Sequence, residues 1–287
     1  MAVYNLGSIN LDHVYRVPHL PQPGETLSAV DYTVGLGGKG ANQSVAVAKA
    51  GAVIRHIGCV GREGAWALGS FRDYGVDVSR VTIGKQPTGH AIINVDPGGE
   101  NAIVIFPGAN HGIDAAAMDE ALSDGVTGDT LMIQNETSLR VEAARIAQQK
   151  RMFVVYSAAP FDAEAVRAIL PHVSLLVVNE GEAAQLQAAL NGRPEVDMVI
   201  TRGSKGAEWI SVGAEPVFQP AFRVTPVDTT GAGDTFIGTL VAGIDLGLSR
   251  VEAMRRAAAA AALQVTRPGA AQAIPTAQEV NAFLDAQ

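Results

Sequence analysis

The chain has 287 residues, of which 47% are apolar and only 5% aromatic, with 31 glycines. This is enough for a full core in an α/β protein built on Val, Ile, Leu and Ala. A formal net charge of −8 disfavours nucleic acid and anionic membranes as partners, yet anionic substrates can still be held locally by backbone amides and a few cations. One cysteine, Cys59 in an apolar run, excludes an internal disulfide and reads as a buried strand residue, and six histidines without ligand spacing give no zinc site.

Residues 1–10 lack a basic segment followed by a long apolar run, so no secretory signal is expected; no stretch approaches a membrane span, and the expected location is cytoplasmic. Residues 3–9 predict a strand. Asn10 and Asp12 follow it at alternate spacing, on one side of an extended segment, where an amide beside a carboxylate suits sugar hydroxyls; a polar turn is the alternative. Residues 15–34, with Pro18, Pro21, Pro23 and Gly24, cannot form a helix. Gly35-Leu36-Gly37-Gly38-Lys39-Gly40-Ala41-Asn42-Gln43 then opens a helix predicted over 40–50. It formally matches G-x-G-x-x-G, but Arg55 and His56 stand where a dinucleotide fold needs an acid. Gly40 after Lys39 also rules out a P-loop. The surviving readings are a glycine-rich approach that lets Lys39 and Asn42 face a polar ligand, and a tight turn with a solvated lysine. Residues 53–60 predict a buried strand, and 91–95 and 102–106 a hairpin about the turn 96–99. With the proline-rich stretch, this hairpin makes a small β subdomain of about 13–35 and 88–107.

From about residue 113 strands (130–134, 153–157, 175–179, 198–201) alternate with helices (140–149, 163–169, 181–190). This pattern predicts a parallel sheet covered on both faces, within a single domain over 1–287. Asn179 and Glu182 end one strand three residues apart, a pair suited to hydrated Mg²⁺ or to a reciprocal helix cap. Thr201, Gly203 and Ser204 end the next strand and offer a hydroxyl and a flexible backbone to a nucleotide, or form a hairpin turn. In Asp228-Thr229-Thr230-Gly231-Ala232-Gly233-Asp234, small residues precede an acid and an apolar, helix-compatible run over 236–248. Open amides at a helix start make an anion hole, and a carboxylate beside a bound phosphate has a use as a proton acceptor. A turn with an ordinary first-turn carboxylate has the same sequence look.

Gly37-Gly38-Lys39-Gly40-Ala41-Asn42-Gln43 resembles the first signature of the ribokinase-like carbohydrate kinases, the pfkB family, and Asp228 to Asp234 resembles the second. Gly7-Ser8-Ile9-Asn10-Leu11-Asp12, Asn179-x-x-Glu182 and Thr201-x-Gly203-Ser204 accompany them, so the resemblance covers nearly the whole chain. It implies a three-layer α/β sandwich with a mostly parallel central sheet and a small β-sheet lid. It also implies ATP-dependent phosphorylation of a hydroxymethyl group of a small sugar, D-ribose first, with another sugar or a nucleoside such as adenosine as the alternative. Carried over, Asp234 is the base, Gly231, Ala232 and Gly233 form the anion hole, and Asn10, Asp12, Gly38, Lys39, Asn42, Glu136 and Asp234 meet the sugar. Asn179 and Glu182 organise Mg²⁺ and phosphate, and Thr201, Gly203 and Ser204 lie near ATP. The family's K⁺ site has counterparts, mostly backbone, in Asp228, Thr230, Gln264, Arg267 and Gly269, but Ala273 stands where the family has a serine ligand. The segment between Glu182 and Thr201 is also shorter than is typical. A homodimer joined through the lid is implied. A non-catalytic sugar sensor on this fold should have lost the base or the anion hole, and this chain keeps both motifs.

Overall fold

The computed structural model describes residues 1–190 and 192–287. The strand predicted over 3–9 is shorter: β1 (Val3–Leu6) is wholly buried and ends at Leu6, and after residues 7–9, which lie in no strand, β2 (Asn10–Arg16) joins a second sheet. After the proline-rich segment β3 (Asp31–Gly37) leads into α1 (Lys39–Lys49), and β4 (Ile54–Val60) contains the buried Cys59. The short elements α2 (Ala67–Asp73) and β5 (Asp77–Ile83), which carry weak sequence signals, precede the hairpin of β6 (Gly89–Val95) and β7 (Asn101–Phe106). Asp114 then caps α3 (Ala115–Ala121) by accepting from the Ala116 and Ala117 amides.

The second half alternates as the periodicity predicts. It runs β8 (Thr130–Gln134), α4 (Arg140–Gln149), β9 (Phe153–Ser157), α5 (Ala163–Ile169), β10 (Leu175–Asn179), α6 (Glu180–Leu190) and β11 (Asp197–Thr201). It closes with β12 (Ala207–Ile210), β13 (Val217–Gln219), α7 (Ala232–Asp245), α8 (Arg250–Gln264) and α9 (Ala277–Asp285).

Among the described residues the main sheet has nine strands in the order β13-β12-β11-β10-β9-β8-β1-β4-β5, parallel except at β12 and β13. Alternate residues face opposite ways. Val3, Met132, Val155, Leu175 and Val177 pack under α1, α7 and α8, while Tyr4, Leu6, Leu131, Ile133, Leu176 and Val178 pack under α3 to α6. This makes a three-layer α/β sandwich, the architecture that the resemblance implies. The chain leaves β1 toward β4 and leaves β8 toward β9, so strand order reverses between β1 and β8. Ligands of open α/β sheets bind in the crevice at such a switch point, beyond the carboxyl ends of the strands.

A second sheet of four strands, β3-β2-β6-β7, rises beside that crevice. Its register puts Asn10, Asp12, Ala91, Ile93, Ile103 and Ile105 on one face and His13, Tyr15, Tyr32, Val34, Val104 and Phe106 on the other. No helix among the described residues is long and apolar enough to cross a membrane.

Candidate active site

Two helix starts meet at the crevice, and their amides differ in what they already hold. At α1 the Lys39 amide donates to Glu136 Oε2 (3.1 Å), the Gly40 amide to Ser8 Oγ (3.1 Å) and the Ala41 amide to the Ser8 carbonyl (2.9 Å). That end is filled by the protein itself. Gly40 allows it, because a β-carbon there would sit 2.3 Å from the Ser8 nitrogen and 2.4 Å from Gly7 Cα. At α7 the chain turns through Gly231 with φ of 74°, and no side chain caps the helix. The Ala232 amide bends back to Thr229 O at 3.3 Å, and the Gly231, Gly233 and Asp234 amides have no acceptor among the described residues. The α7 start is therefore the end with free amide donors.

Asp234 sits in the first turn of α7 beside those amides. Its Oδ2 accepts from Asn42 Nδ2 (3.2 Å) and its Oδ1 from Gln43 Nε2 (3.0 Å), both on α1. The orientation of the Gln43 amide is set behind it, where Gln134 Nε2 donates to Gln43 Oε1 (2.8 Å) and to Asn5 Oδ1 (3.0 Å). Asn5 Nδ2 in turn donates to the Gly40 carbonyl and Ser44 Oγ, each at 2.8 Å. Gln43, Gln134, Asn5 and Ser44 are all fully buried, so losing one partner would strand a polar group at a cost of about 1–3 kcal/mol. Behind Ser44 lies His56, whose Nδ1 and Nε2 meet Ser44 Oγ and the Gly7 carbonyl; burial pushes its pKa down to about 4, leaving it neutral.

The charges around Asp234 form one coupled group. Burial pushes Asp234 up to about 6, against Lys39, Gln43 and Asn42, with Glu136 adding to the rise. Burial disfavours the charged form of Lys39, but Asp234, Glu136 and Glu182 outweigh it and hold the ammonium above its ordinary value. On β2, Asp12 is pushed up to about 6 by burial and then by Glu136. Glu136, just past β8, accepts from Ser8 Oγ as well as from the Lys39 amide. Asn10 is buried, and Asn110 fixes it by donating Nδ2 to Asn10 Oδ1 (2.8 Å) while accepting from the Ile9 amide (2.9 Å). The crevice thus gathers Asn10, Asp12, Lys39, Asn42, Glu136 and Asp234, a mixture of donors and acceptors that matches a polyhydroxylated ligand. Gly38, at φ 93°, makes the bend that brings Lys39 in.

Farther along the sheet edge Asn179 and Glu182 close a reciprocal cap: Glu182 Oε2 accepts from the Asn179 amide and Asn179 Oδ1 from the Glu182 amide, both at 2.8 Å. Burial raises Glu182, opposed by that amide and by Lys39. Thr201 ends β11, and Gly203 and Ser204 lie in the helical turn joining it to antiparallel β12, where Gly203 has φ of 54°. Both local structures are the alternatives that the sequence left open. Ahead of α7, Asp228 accepts from the Thr230 amide (2.9 Å) and the Gly269 amide (2.8 Å), tying that loop to the one after α8. Gln264, fully buried, donates Nε2 to the carbonyls of Thr230 (3.1 Å), Gly269 (3.0 Å) and Ala270 (3.1 Å). Arg267 pairs with Glu279 at 2.7 Å, so its side chain points away from that cluster.

Sequence reasoning gave no role to Asn110 and Gln134 and quoted Ser8 and Gln43 only as parts of motifs. The places of Ser8 near Asn10 and of Gln43 beside Asn42 in those motifs were the signals available; Asn110 and Gln134 enter through tertiary contacts alone.

A family model described as pfkB family carbohydrate kinase matches residues 3–277. Ribokinase of Haemophilus influenzae is 36% identical over 299 residues, which covers 98% of this chain and 97% of that protein. Deoxyribokinase of Salmonella typhi is 30% identical over 308 residues, covering 99% of each. The structure of Arabidopsis thaliana ribokinase complexed with ribose and ATP matches with a TM-score of 0.86 at 28% identity, over 99% of both chains.

Proposed function

The chain belongs to the pfkB family of carbohydrate kinases and is a phosphotransferase acting on a sugar hydroxyl, and on that premise we propose that it converts D-ribose and ATP to ribose 5-phosphate and ADP. One observation carries the reading: Asp234 stands at the open α7 start, held by Asn42 and Gln43, within the charge group that includes the sugar-compatible Asp12 and Glu136. Asn10, Asp12, Gly38, Lys39, Asn42 and Glu136 hold the sugar hydroxyls. Asp234 takes the proton from the 5-hydroxyl as its oxygen attacks the γ-phosphorus, and the bond from γ-phosphorus to the bridging oxygen breaks toward ADP. The amides of Gly231 and Gly233 meet the charge that collects on the transferred group, and Ala232 joins them by giving up its long bond to Thr229.

Thr201, Gly203 and Ser204 line the nucleotide side. Asn179 and Glu182 fit Mg²⁺ that arrives with ATP and keeps its waters: their cap leaves one Glu182 oxygen free, and no group of three or more acids, His or Cys that could cage a metal occurs among the described residues. Bound there, Mg²⁺ would neutralise phosphate charge. The four-stranded sheet is read as the lid that shields the site from water. Deoxyribokinase matches over as much of the chain as ribokinase, which makes 2-deoxyribose the second substrate to test.

ADP release with Mg-ATP should be measured on D-ribose, 2-deoxyribose, fructose, ketodeoxygluconate and adenosine. The highest kcat/KM is expected on D-ribose; preference for 2-deoxyribose would move the substrate, and silence on the whole panel would sink the reading.

Two further results follow from the geometry. Because Asp234 must be ionised to accept the proton and burial holds it at about 6, kcat/KM falls with acid below that pH, by about tenfold per pH unit. A flat profile down to pH ~5 would contradict Asp234 as base. The lid face opposite Asn10 and Asp12 carries exposed Tyr32, Val34, Val104 and Phe106, with Val104 and Phe106 on the unpaired edge strand β7. Such an edge invites a partner, and a second copy of this chain is the one proposed. Light scattering should give a dimer for the native chain and a monomer for Val104→Asp. A native chain that is monomeric at ~50 μM would exclude that contact.

A further inference from the structure

The loop that shapes the α7 start encloses a cluster of oxygens with an internal cation substitute. Three backbone carbonyls, from Thr230, Gly269 and Ala270, point at a single atom, Gln264 Nε2, at 3.0–3.1 Å. Carbonyls converging in this way make an electronegative hole of the kind that binds a dehydrated monovalent cation. Here the hole is filled from within. An amide NH₂ has two protons, so one is shared between two of the three oxygens, and its partial positive charge does the neutralising. The orientation of the amide is fixed, since a flip would aim Gln264 Oε1 at three oxygens; as it stands, Oε1 accepts from Thr235 Oγ1 (3.4 Å) on α7.

The donor set around it is depleted. Each Asp228 oxygen already accepts one amide, from Thr230 and from Gly269, and buried Ala273 contributes a methyl group in place of a hydroxyl. Gln264 Nε2 stands at the point where the three carbonyls converge.

We propose that the Gln264 side-chain amide replaces a monovalent cation in this loop, holding Thr230 and Gly231 in place for α7, so that the chain works without potassium. The inference rests on the kinase reading for its effect on turnover but not for its structural part. The test therefore has two readouts, taken at constant ionic strength in potassium chloride and in tetramethylammonium chloride: turnover of ribose, and the thermal midpoint. The native chain should give turnovers within about twofold and the same midpoint in the two salts, because a ligand that does not bind the folded state does not stabilise it. Gln264→Ala empties the hole. It should lose about tenfold or more in turnover in tetramethylammonium, recover in potassium, and gain a potassium-specific rise in midpoint of a few degrees at about 0.1 M salt.

Strong potassium activation or a potassium-specific midpoint rise in the native chain would overturn the proposal. So would a folded Gln264→Ala that ignores potassium. If that variant does not fold, Gln264→Ser takes its place, and the native chain's own midpoints still decide. Absence of turnover on every sugar would count against the kinase reading, while the midpoints would still test the cation substitute.

Discussion

Asp234→Asn lowers turnover on the order of a thousandfold and leaves ATP binding within a few-fold of the native chain, as expected when a proton acceptor is lost and the phosphate-binding amides are kept. The substitution is well suited to isolating the chemistry. Asn42 Oδ1 is buried without a partner, so a flip of the Asn42 amide would offer an acceptor to the new Asn, while Gln43 Nε2 keeps its bond to the remaining oxygen. The sign of the stability change separates a chemical role from a structural one. A carboxyl whose pKa is raised from 3.8 to about 6 on folding adds stability below 3.8 and loses that contribution as the pH rises through about 6. At pH ~7.5 the ionised Asp234 is thus held against its preference, and the neutral variant should melt no lower than the native chain. Near-native turnover in Asp234→Asn would remove it as the base. A lower melting point at pH ~7.5 would instead make it a structural residue.

Gly40→Val should abolish more than about 99% of turnover and lower the melting point by about 5 °C or more. The β-carbon would fall within 2.3–2.4 Å of backbone atoms of Gly7 and Ser8, and backbone cannot swing away as the tip of a side chain can. Relief requires α1 to move off the β1–β2 turn. That motion pulls the Gly40 and Ala41 amides from Ser8 and the Lys39 amide from Glu136, and it carries Asn42 and Gln43 away from Asp234. One side chain thus damages the sugar side and the base together, and kcat and KM should both worsen. Circular dichroism should show the secondary structure retained, because the clash falls at one end of α1 and most of the two main core clusters comes from other elements. A variant with native kcat would mean that the α1 contact does not position the site.

The joints of the structure show which interactions fixed it. β8 through β11 appear where the apolar runs lie, because a strand buried on both faces leaves its mark in a few consecutive residues. The two glycine-rich motifs were equally plain, since close backbone approach at Gly40 and the left-handed turn at Gly231 restrict residue type locally. The end of β1 at Leu6 was not legible: Val3 through Ile9 reads as one strand, and it is where α1 packs against Gly7 and Ser8 that the chain leaves the main sheet before β2 begins at Asn10.

The sequence by itself determined the fold class, the order of the elements and the residue types that could meet a sugar and a phosphate, because helix starts, apolar periodicity and glycine turns are written in neighbouring residues. Only the tertiary structure decided how those residues are used. Lys39, Glu136, Glu182 and Asp234 lie far apart in the chain, and their mutual fields exist only after β1, β8 and β10 are laid side by side under α1 and α7. The same holds for Asn110 behind Asn10 and for Gln264 inside its ring of carbonyls, because hydrogen-bond partners and electrostatic neighbours depend on distance in space.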